Sequence, residues 1–164
     1  MLNIGDPAPD FTLNDDSGES VSLSSLLASG PVVLYFYPAD FTPVCTAEAC
    51  MFRDWTSELA GAGVRVVGIS PQGTESKQKF KKKYSLSFPL LADPEKSVIR
   101  AYSASFLLGI FTRRVTYLVE PALAATGTMN LGVISDRAVA DLSVKPHEAF
   151  VKRVLEKRTS GVRA

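Results

Sequence analysis

Two runs, "VVLYFY" at Val32 to Tyr37 and "VRVVGIS" at Val64 to Ser70, constrain this chain most. Each is a short apolar stretch rich in β-branched and aromatic residues. Such runs read as strands buried on both faces, with no polar side left for solvent. Between them lies a segment with helical signals. Thr42 is a good N-cap, and Pro43 fits the first helical position. Val44, Ala47, Met51, Trp55 and Leu59 recur at helical spacing as one apolar face, and Gly61 and Gly63 end the segment.

The same alternation continues along the chain. "FPLLA" near Leu90, "RVTYLVE" at Arg114 to Glu120 and "TMNLGVIS" are further candidate strands. Thr74 to Tyr84 is a basic helix. Asp93 and Pro94 open another through "EKSVIRAY", and Pro146 begins a last one, "PHEAFVKRVLEKR". Pieces around Phe11 to Leu13 and Val21 to Leu23 suggest a small N-terminal hairpin. Strands alternating with helices imply an α/β fold: a central mixed, mainly parallel sheet flanked by helices. No repeat or linker divides residues 1–164, so one domain is expected.

Composition narrows the function. A formal net charge of +1 supplies no field to recruit nucleic acid or an anionic membrane. No apolar run approaches the ~20 residues that span a bilayer. The first residues carry no signal-peptide pattern, so a cytoplasmic location is expected. "KQKFKKKYS" reads as a solvated helix face. His147 reads as an inert residue in the first turn of a surface helix.

Both cysteines fall in "YPADFTPVCTAEAC". Cys45 would be the third residue of the helix that Thr42 caps. There its sulfur meets unpaired N–H groups and the positive end of the helix dipole, a setting that lowers a thiol pKa. Lowering it from ~8.5 to ~6 raises the thiolate fraction at pH 7 only about thirty-fold, so donors to the leaving group are needed as well. Cys50, five residues on, reads equally as a small buried hydrophobe or a second reactive thiol. Helix geometry holds the two Cα atoms roughly 8–9 Å apart, too far for a disulfide, so bonding would require the helix to unwind. Two cysteines and one histidine far along the chain cannot fill a zinc site.

"PADFTPVC", with Pro38, Thr42 and Cys45 in Pro-x-x-x-Thr-x-x-Cys order, resembles the active-site motif of peroxiredoxins. "CTAEACMFRD" resembles the Q-type, or bacterioferritin comigratory, subfamily. "GDPAPDFTL", "VRVVGISPQGTESKQKFKKKYSLSFPLLADPEK" and "RVTYLVE" extend the likeness to about Glu120. The resemblance implies a thioredoxin-like fold and a thiol peroxidase without metal, haem or flavin. In that family the first cysteine, here Cys45, attacks peroxide and becomes a sulfenic acid. The second, here Cys50, condenses with it to an intrachain disulfide, which thioredoxin or a glutaredoxin-like dithiol reduces.

Thr42 would orient the peroxide, and Pro38 would shield the sulfur. An arginine would hold the thiolate; the pattern favours Arg114, with Arg113 on the opposite face as the alternative. Glu48 and Arg53 are candidates for supporting roles. Phe41 and Val44 depart from the Q type toward the typical two-cysteine class, but no cysteine follows Cys50. "PALAATGTMN" lacks the acidic Gly turn expected there. "SASFLLGIFT" suggests core or a buried loop, or else an exposed rim for a weak homodimer or for greasy peroxides, with a monomer as the alternative. Rival functions are a thiol-disulfide oxidoreductase of protein substrates, which lacks its usual Cys-x-x-Cys, and a redox-dependent holdase.

Overall fold

In the computed structural model, residues 1–123 and 129–162 are described. The "PALAATGTMN" turn therefore lies largely outside the described residues. Ten strands are described: β1 Pro7–Ala8, β2 Thr12–Asp15, β3 Ser20–Ser22, β4 Val32–Phe36, β5 Arg65–Ser70, β6 Leu90–Ala92, β7 Ser105–Phe106, β8 Phe111–Thr112, β9 Val115–Leu123 and β10 Met129–Val139. The helices are α1 Leu23–Leu27, α2 Pro43–Gly61, α3 Thr74–Tyr84, α4 Ser97–Ala101 and α5 Lys145–Val162. Eight strands form one sheet in the order β1-β10-β9-β4-β5-β6-β2-β3. Helices flank it in a thioredoxin-like arrangement, with β2 and β3 as the N-terminal hairpin.

The sheet is mixed but not mainly parallel. Only β4–β5 and β5–β6 pair in parallel, and the other five pairings are antiparallel. The reason lies in the connections. Helices α2 and α3 carry the chain back over the sheet between parallel strands, whereas β9 and β10 follow one another directly and must run antiparallel.

Strand β4 is fully buried from Val32 to Phe36. Its alternate residues Val32, Leu34 and Phe36 join a core with Phe11, Tyr102 and Tyr117. Val33 and Tyr35, with Tyr37 just beyond, join the opposite core with Phe52, Phe80 and Phe150. This is the two-sided burial expected of a continuous apolar run.

Helix α2 begins and ends where the sequence indicates. At its C-terminus Val64 N–H donates to Leu59 O (2.8 Å) and Gly63 N–H to Ala60 O (2.9 Å), with Gly63 at φ +76°. That is the paired closing motif glycine permits. Its inner face, however, is rotated from the expected one. The buried residues are Cys45, Glu48, Ala49, Phe52 and Leu59, while Ala47 is exposed and Val44, Met51 and Trp55 are half-buried. The 3.6-residue period admits both stripes, and the aromatic surface of β4 selects this one: Tyr35 stacks on Phe52 with centroids 4.6 Å apart.

Two further expectations change, and one pair of alternatives is decided. Helix α4 starts at Ser97, after Lys96 in a left-handed conformation, rather than at Pro94. The Asp93 carboxylate then accepts from Ser97 N–H (3.1 Å) and Ile99 N–H (2.8 Å). Of the alternatives for "SASFLLGIFT", the exposed rim is the one found: the segment forms the β7–β8 hairpin, with Leu107, Leu108, Ile110 and Phe111 exposed and only Ala104 and Thr112 buried. Lys77, the first residue of "KQKFKKKYS", is fully buried instead of solvated. Among the described residues no helix is long and apolar enough to cross a membrane.

Gly68 of β5 lies against the Tyr35 ring. A methyl added there would meet the ring at 2.7 Å and Leu90 at 2.9 Å. The Gly68→Ala variant is expected to lose about 1–3 kcal/mol through displacement of that ring. Urea unfolding monitored by Trp55 fluorescence measures the loss.

Candidate active site

The chain leaves β4 through Tyr37, Pro38, Ala39 and Asp40, and turns at Phe41. Phe41 holds φ +67°, a conformation that costs a non-glycine residue about 1–2 kcal/mol. Its ring packs edge-on against Phe80 at 5.2 Å. Thr42 then occupies the N-cap position with extended backbone, and its carbonyl accepts the first helical bond, from Thr46 N–H at 2.8 Å. Its side chain does not cap the helix. The Thr42 hydroxyl donates to Ala39 O at 3.3 Å instead. The exposed Pro38 closes the same loop, and its carbonyl accepts from Gln72 Nε2 at 3.2 Å.

Cys45 is the third residue of α2 and is 1% exposed. Both thiols are free, and Cys50 is half-buried further along the helix. The two arginines diverge as their adjacency requires. Arg114 is buried, and its Nη2 donates to Cys45 Sγ at 3.2 Å. Arg113 turns to the surface, where it pairs with Asp141 at 3.1 Å. Asp141 also accepts from Arg114 N–H at 3.0 Å, so one carboxylate holds the Arg113 side chain and the Arg114 backbone. Arg53 lies apart from the sulfur, paired with Asp54 and donating to Tyr84 O.

Glu48 stands one turn beyond Cys45 on the same face of α2, fully buried. Its Oε2 accepts from Arg114 Nη1 at 2.5 Å. Its Oε1 has no hydrogen-bond donor and lies 3.6 Å from His147 Nδ1. Burial raises the Glu48 carboxyl from its usual value to about 7, against the opposing pull of Arg114. The Arg114 guanidinium is shifted upward: burial works against its charge, but Glu48 and Cys45 together outweigh that cost.

His147 is not inert. It is buried against the sheet, with Nδ1 2.9 Å from the Thr116 hydroxyl and Nε2 3.3 Å from Ala140 O. A carbonyl only accepts, so Nε2 carries the proton and Nδ1 accepts from Thr116. Burial lowers its pKa to about 4, leaving a neutral ring. Sequence reading missed Asp141, Thr116 and His147. His147 stands in a helix with a polar outer face, and only the packing of α5 on β10 turns it inward. Among the described residues, no group of three or more His, Cys, Asp or Glu side chains could hold a metal ion.

A buried thiol at a helix start, with an arginine shared between it and a glutamate, is a site for thiol chemistry. Residues 4–124 match the AhpC/TSA family. The chain belongs to that family. It is 50% identical over 125 residues to a peroxiredoxin bcp of Coxiella burnetii, covering 73% of this chain and 82% of that protein. It is 45% identical over 120 residues to the chloroplastic peroxiredoxin Q of Oryza sativa subsp. japonica, covering 73% of this chain and 55% of that one. The chain thus spans little more than half of that plant relative. Among solved structures, peroxidoxin BcpB of Mycobacterium tuberculosis superposes with a TM-score of 0.82 at 33% identity, covering 96% of this chain and 98% of the other. Peroxiredoxin Q of Xanthomonas campestris gives 0.76 at 25% identity, covering 90% of each chain. This peroxiredoxin is thus an oxidoreductase of the thiol peroxidase class.

The histidine gives a test with a definite sign. In the unfolded chain His147 titrates near 6.5; in the fold it titrates near 4. Between those values the unfolded state binds a proton that the native ring refuses. Stability is therefore lost as pH falls from about 6.5 to about 4, by up to about 3 kcal/mol. Glu48 acts with opposite sign, since its raised pKa makes its contribution decline as pH rises from about 4.5 to about 7. His147→Gln removes only the first effect. The stability gap between wild type and His147→Gln, from urea unfolding, should shrink on going from about pH 7 to about pH 4.5. A constant gap would mean that the native ring takes up its proton as freely as the unfolded one.

Proposed function

We propose that this chain reduces hydrogen peroxide and alkyl hydroperoxides at Cys45. The observation that carries the reading is the Arg114 guanidinium donating at 3.2 Å to the buried sulfur where α2 begins. A guanidinium fixed beside that sulfur stands ready to stabilise charge on a peroxide oxygen. The thiolate attacks one oxygen and the O–O bond breaks. Cys45 becomes a sulfenic acid, and the leaving alkoxide or hydroxide takes a proton to depart as alcohol or water.

Thr42 has a part in this because its hydroxyl proton is engaged with Ala39 O, which leaves its lone pairs to accept from the peroxide O–H. The role proposed for Pro38, whose ring has no N–H, is to shield the sulfur from water. Cys50 then condenses with the sulfenic acid, releasing water and forming the Cys45–Cys50 disulfide. With both residues in α2, the first turns must unwind for the sulfurs to meet. A dithiol donor, thioredoxin or a glutaredoxin-like protein, restores both thiols. Such a cycle needs a reducing compartment, which we take to be the cytoplasm.

Mass spectrometry after one equivalent of peroxide should find oxidation on Cys45 first. Cys45→Ser should abolish peroxide consumption, while Cys50→Ser should allow a single turnover and stop. Arg114→Gln should slow the first step by about a hundredfold or more. Full activity in Cys45→Ser would overturn the reading and leave a protein-disulfide or holdase role to be examined. Trp55, half-buried in α2, should change its fluorescence as the helix unwinds.

For self-association we propose at most a weak homodimer packed through the exposed β7–β8 hairpin, where Leu108 is fully accessible. Sedimentation should then show a mass rising with concentration, abolished by Leu108→Asp. A monomer at every concentration removes the dimer.

A further inference from the structure

The loop that leads from β4 into α2, three residues ahead of Cys45, is fastened by a buried polar cluster that the peroxide chemistry just described does not use. Lys77, on the inner face of α3, has no exposure to solvent. Its ammonium has three hydrogens and meets three acceptors: the Ser70 hydroxyl at the end of β5, the Tyr37 hydroxyl at 3.3 Å and Asp40 Oδ1 at 3.5 Å. Further bonds link these three acceptors to their neighbours. Tyr37 donates to Asp40 Oδ1 at 2.6 Å. Ser70 donates to Gln72 Oε1 at 2.7 Å. Ser76 donates to the other Asp40 oxygen at 2.7 Å.

The cluster ends on the loop backbone. Gln72 Oε1 accepts from Asp40 N–H at 3.2 Å, and Gln72 Nε2 donates to Pro38 O at 3.2 Å. The next residue is Phe41, the one held at positive φ, and after it comes Thr42. A backbone in that conformation persists only where its surroundings fix it. Here those surroundings are the packing of the Phe41 ring on Phe80 and the cluster's bonds to Pro38 and Asp40. A neutral amine has two hydrogens, so losing the charge removes a donor. It also leaves the Asp40 carboxylate buried without its counter-ion.

We propose that Lys77 is a positioning residue for the peroxide reaction: through Asp40, Ser70 and Gln72 its ammonium holds the 38–42 loop, and with it Thr42 at the start of the Cys45 helix, in place, and loss of that charge releases the loop. The role rests on the peroxidase reading above. It also explains why a fully buried lysine stands in a helix otherwise lined with solvated ones.

Lys77 is suited to lose its charge in mildly alkaline solution. Burial pulls its pKa down to about 8, opposed by the attraction of Asp40 and, more weakly, of Asp16. The groups facing it are Asp40 and Tyr37 at the end of β4, Ser70 of β5, and Asp16 in the β2–β3 turn. Tyr37 stays protonated, its pKa raised chiefly by burial, so it continues to donate to Asp40.

The test is the second-order rate of Cys45 oxidation by hydrogen peroxide in the full chain carrying Cys50→Ser, from about pH 6 to about pH 10. With Lys77 present, the rate should fall as pH rises through about 8. Lys77→Met should be roughly tenfold slower at neutral pH and show no such alkaline fall. Lys77→Arg, whose charge does not titrate, should recover most of the rate and keep it in alkali. Should Lys77→Met fail to fold, the Asp40→Asn/Lys77→Met double variant leaves no buried charge and carries the same expectation. A Lys77→Met rate within about twofold of the parent, or an alkaline fall that persists without the lysine, overturns the proposal. If Cys45 ignores peroxide even with Lys77 in place, it is the peroxidase reading that fails, a result distinct from either of these.

Discussion

One guanidinium, that of Arg114, is shared between a sulfur and a carboxylate in the interior. Cys45 and Glu48 both face it from one turn of α2, at 3.2 and 2.5 Å. None of the three is open to solvent, so each depends on the others for compensation that water would otherwise supply. The rest of the site is arranged around this sharing. Asp141 fixes the arginine backbone, and the stack of Tyr35 on Phe52 sets the rotation of the helix. His147 and Thr116 occupy the far side of Glu48, where a solvated group would compete for its charge.

The fold delivers these groups from four separate elements. Strand β4 ends in the loop that holds Pro38, Asp40 and Thr42, helix α2 carries Cys45 and Glu48, the start of β9 carries Arg114, and α5 carries His147. Because β4 pairs with β5 on one side and β9 on the other, the end of the sheet brings loop, helix start and arginine to one place. Reaction sites commonly form at the carboxyl ends of strands for this reason. The helix must also be able to come apart at its first turns if two thiols on it are ever to bond. A tightly held loop above a helix start that can unwind reconciles rigidity for the first step with mobility for the second.

Much of this was legible in the chain. The apolar runs at Val32 and Val64 marked the central strands because only buried strands tolerate apolar residues on both faces. Thr42–Pro43 and Gly61–Gly63 marked the ends of α2, since capping and left-handed backbone have local residue requirements. The order of Pro38, Thr42 and Cys45 pointed to the chemistry, and the neighbouring residues pointed to Arg114. Other expectations failed where the deciding contact was distant in sequence. The inner stripe of α2 was misplaced because two stripes were periodic. The sheet was read as mainly parallel because nothing local to β9 and β10 reveals a hairpin. Lys77 and His147 were read as surface residues because a charged or polar type usually is.

By itself, then, the sequence determined where the central strands β4 and β5 run, where α2 begins and ends, which sulfur heads that helix, and to which family of reactions the chain belongs. Those are consequences of local backbone preference and side-chain chemistry. Tertiary structure alone decided that Glu48 shares Arg114, that His147 is neutral and buried, that Lys77 has its charge matched by Asp40, and that the β7–β8 hairpin stands in solvent. Each of these depends on which groups from remote parts of the chain exclude water from a given atom, and that is fixed only when the layers pack.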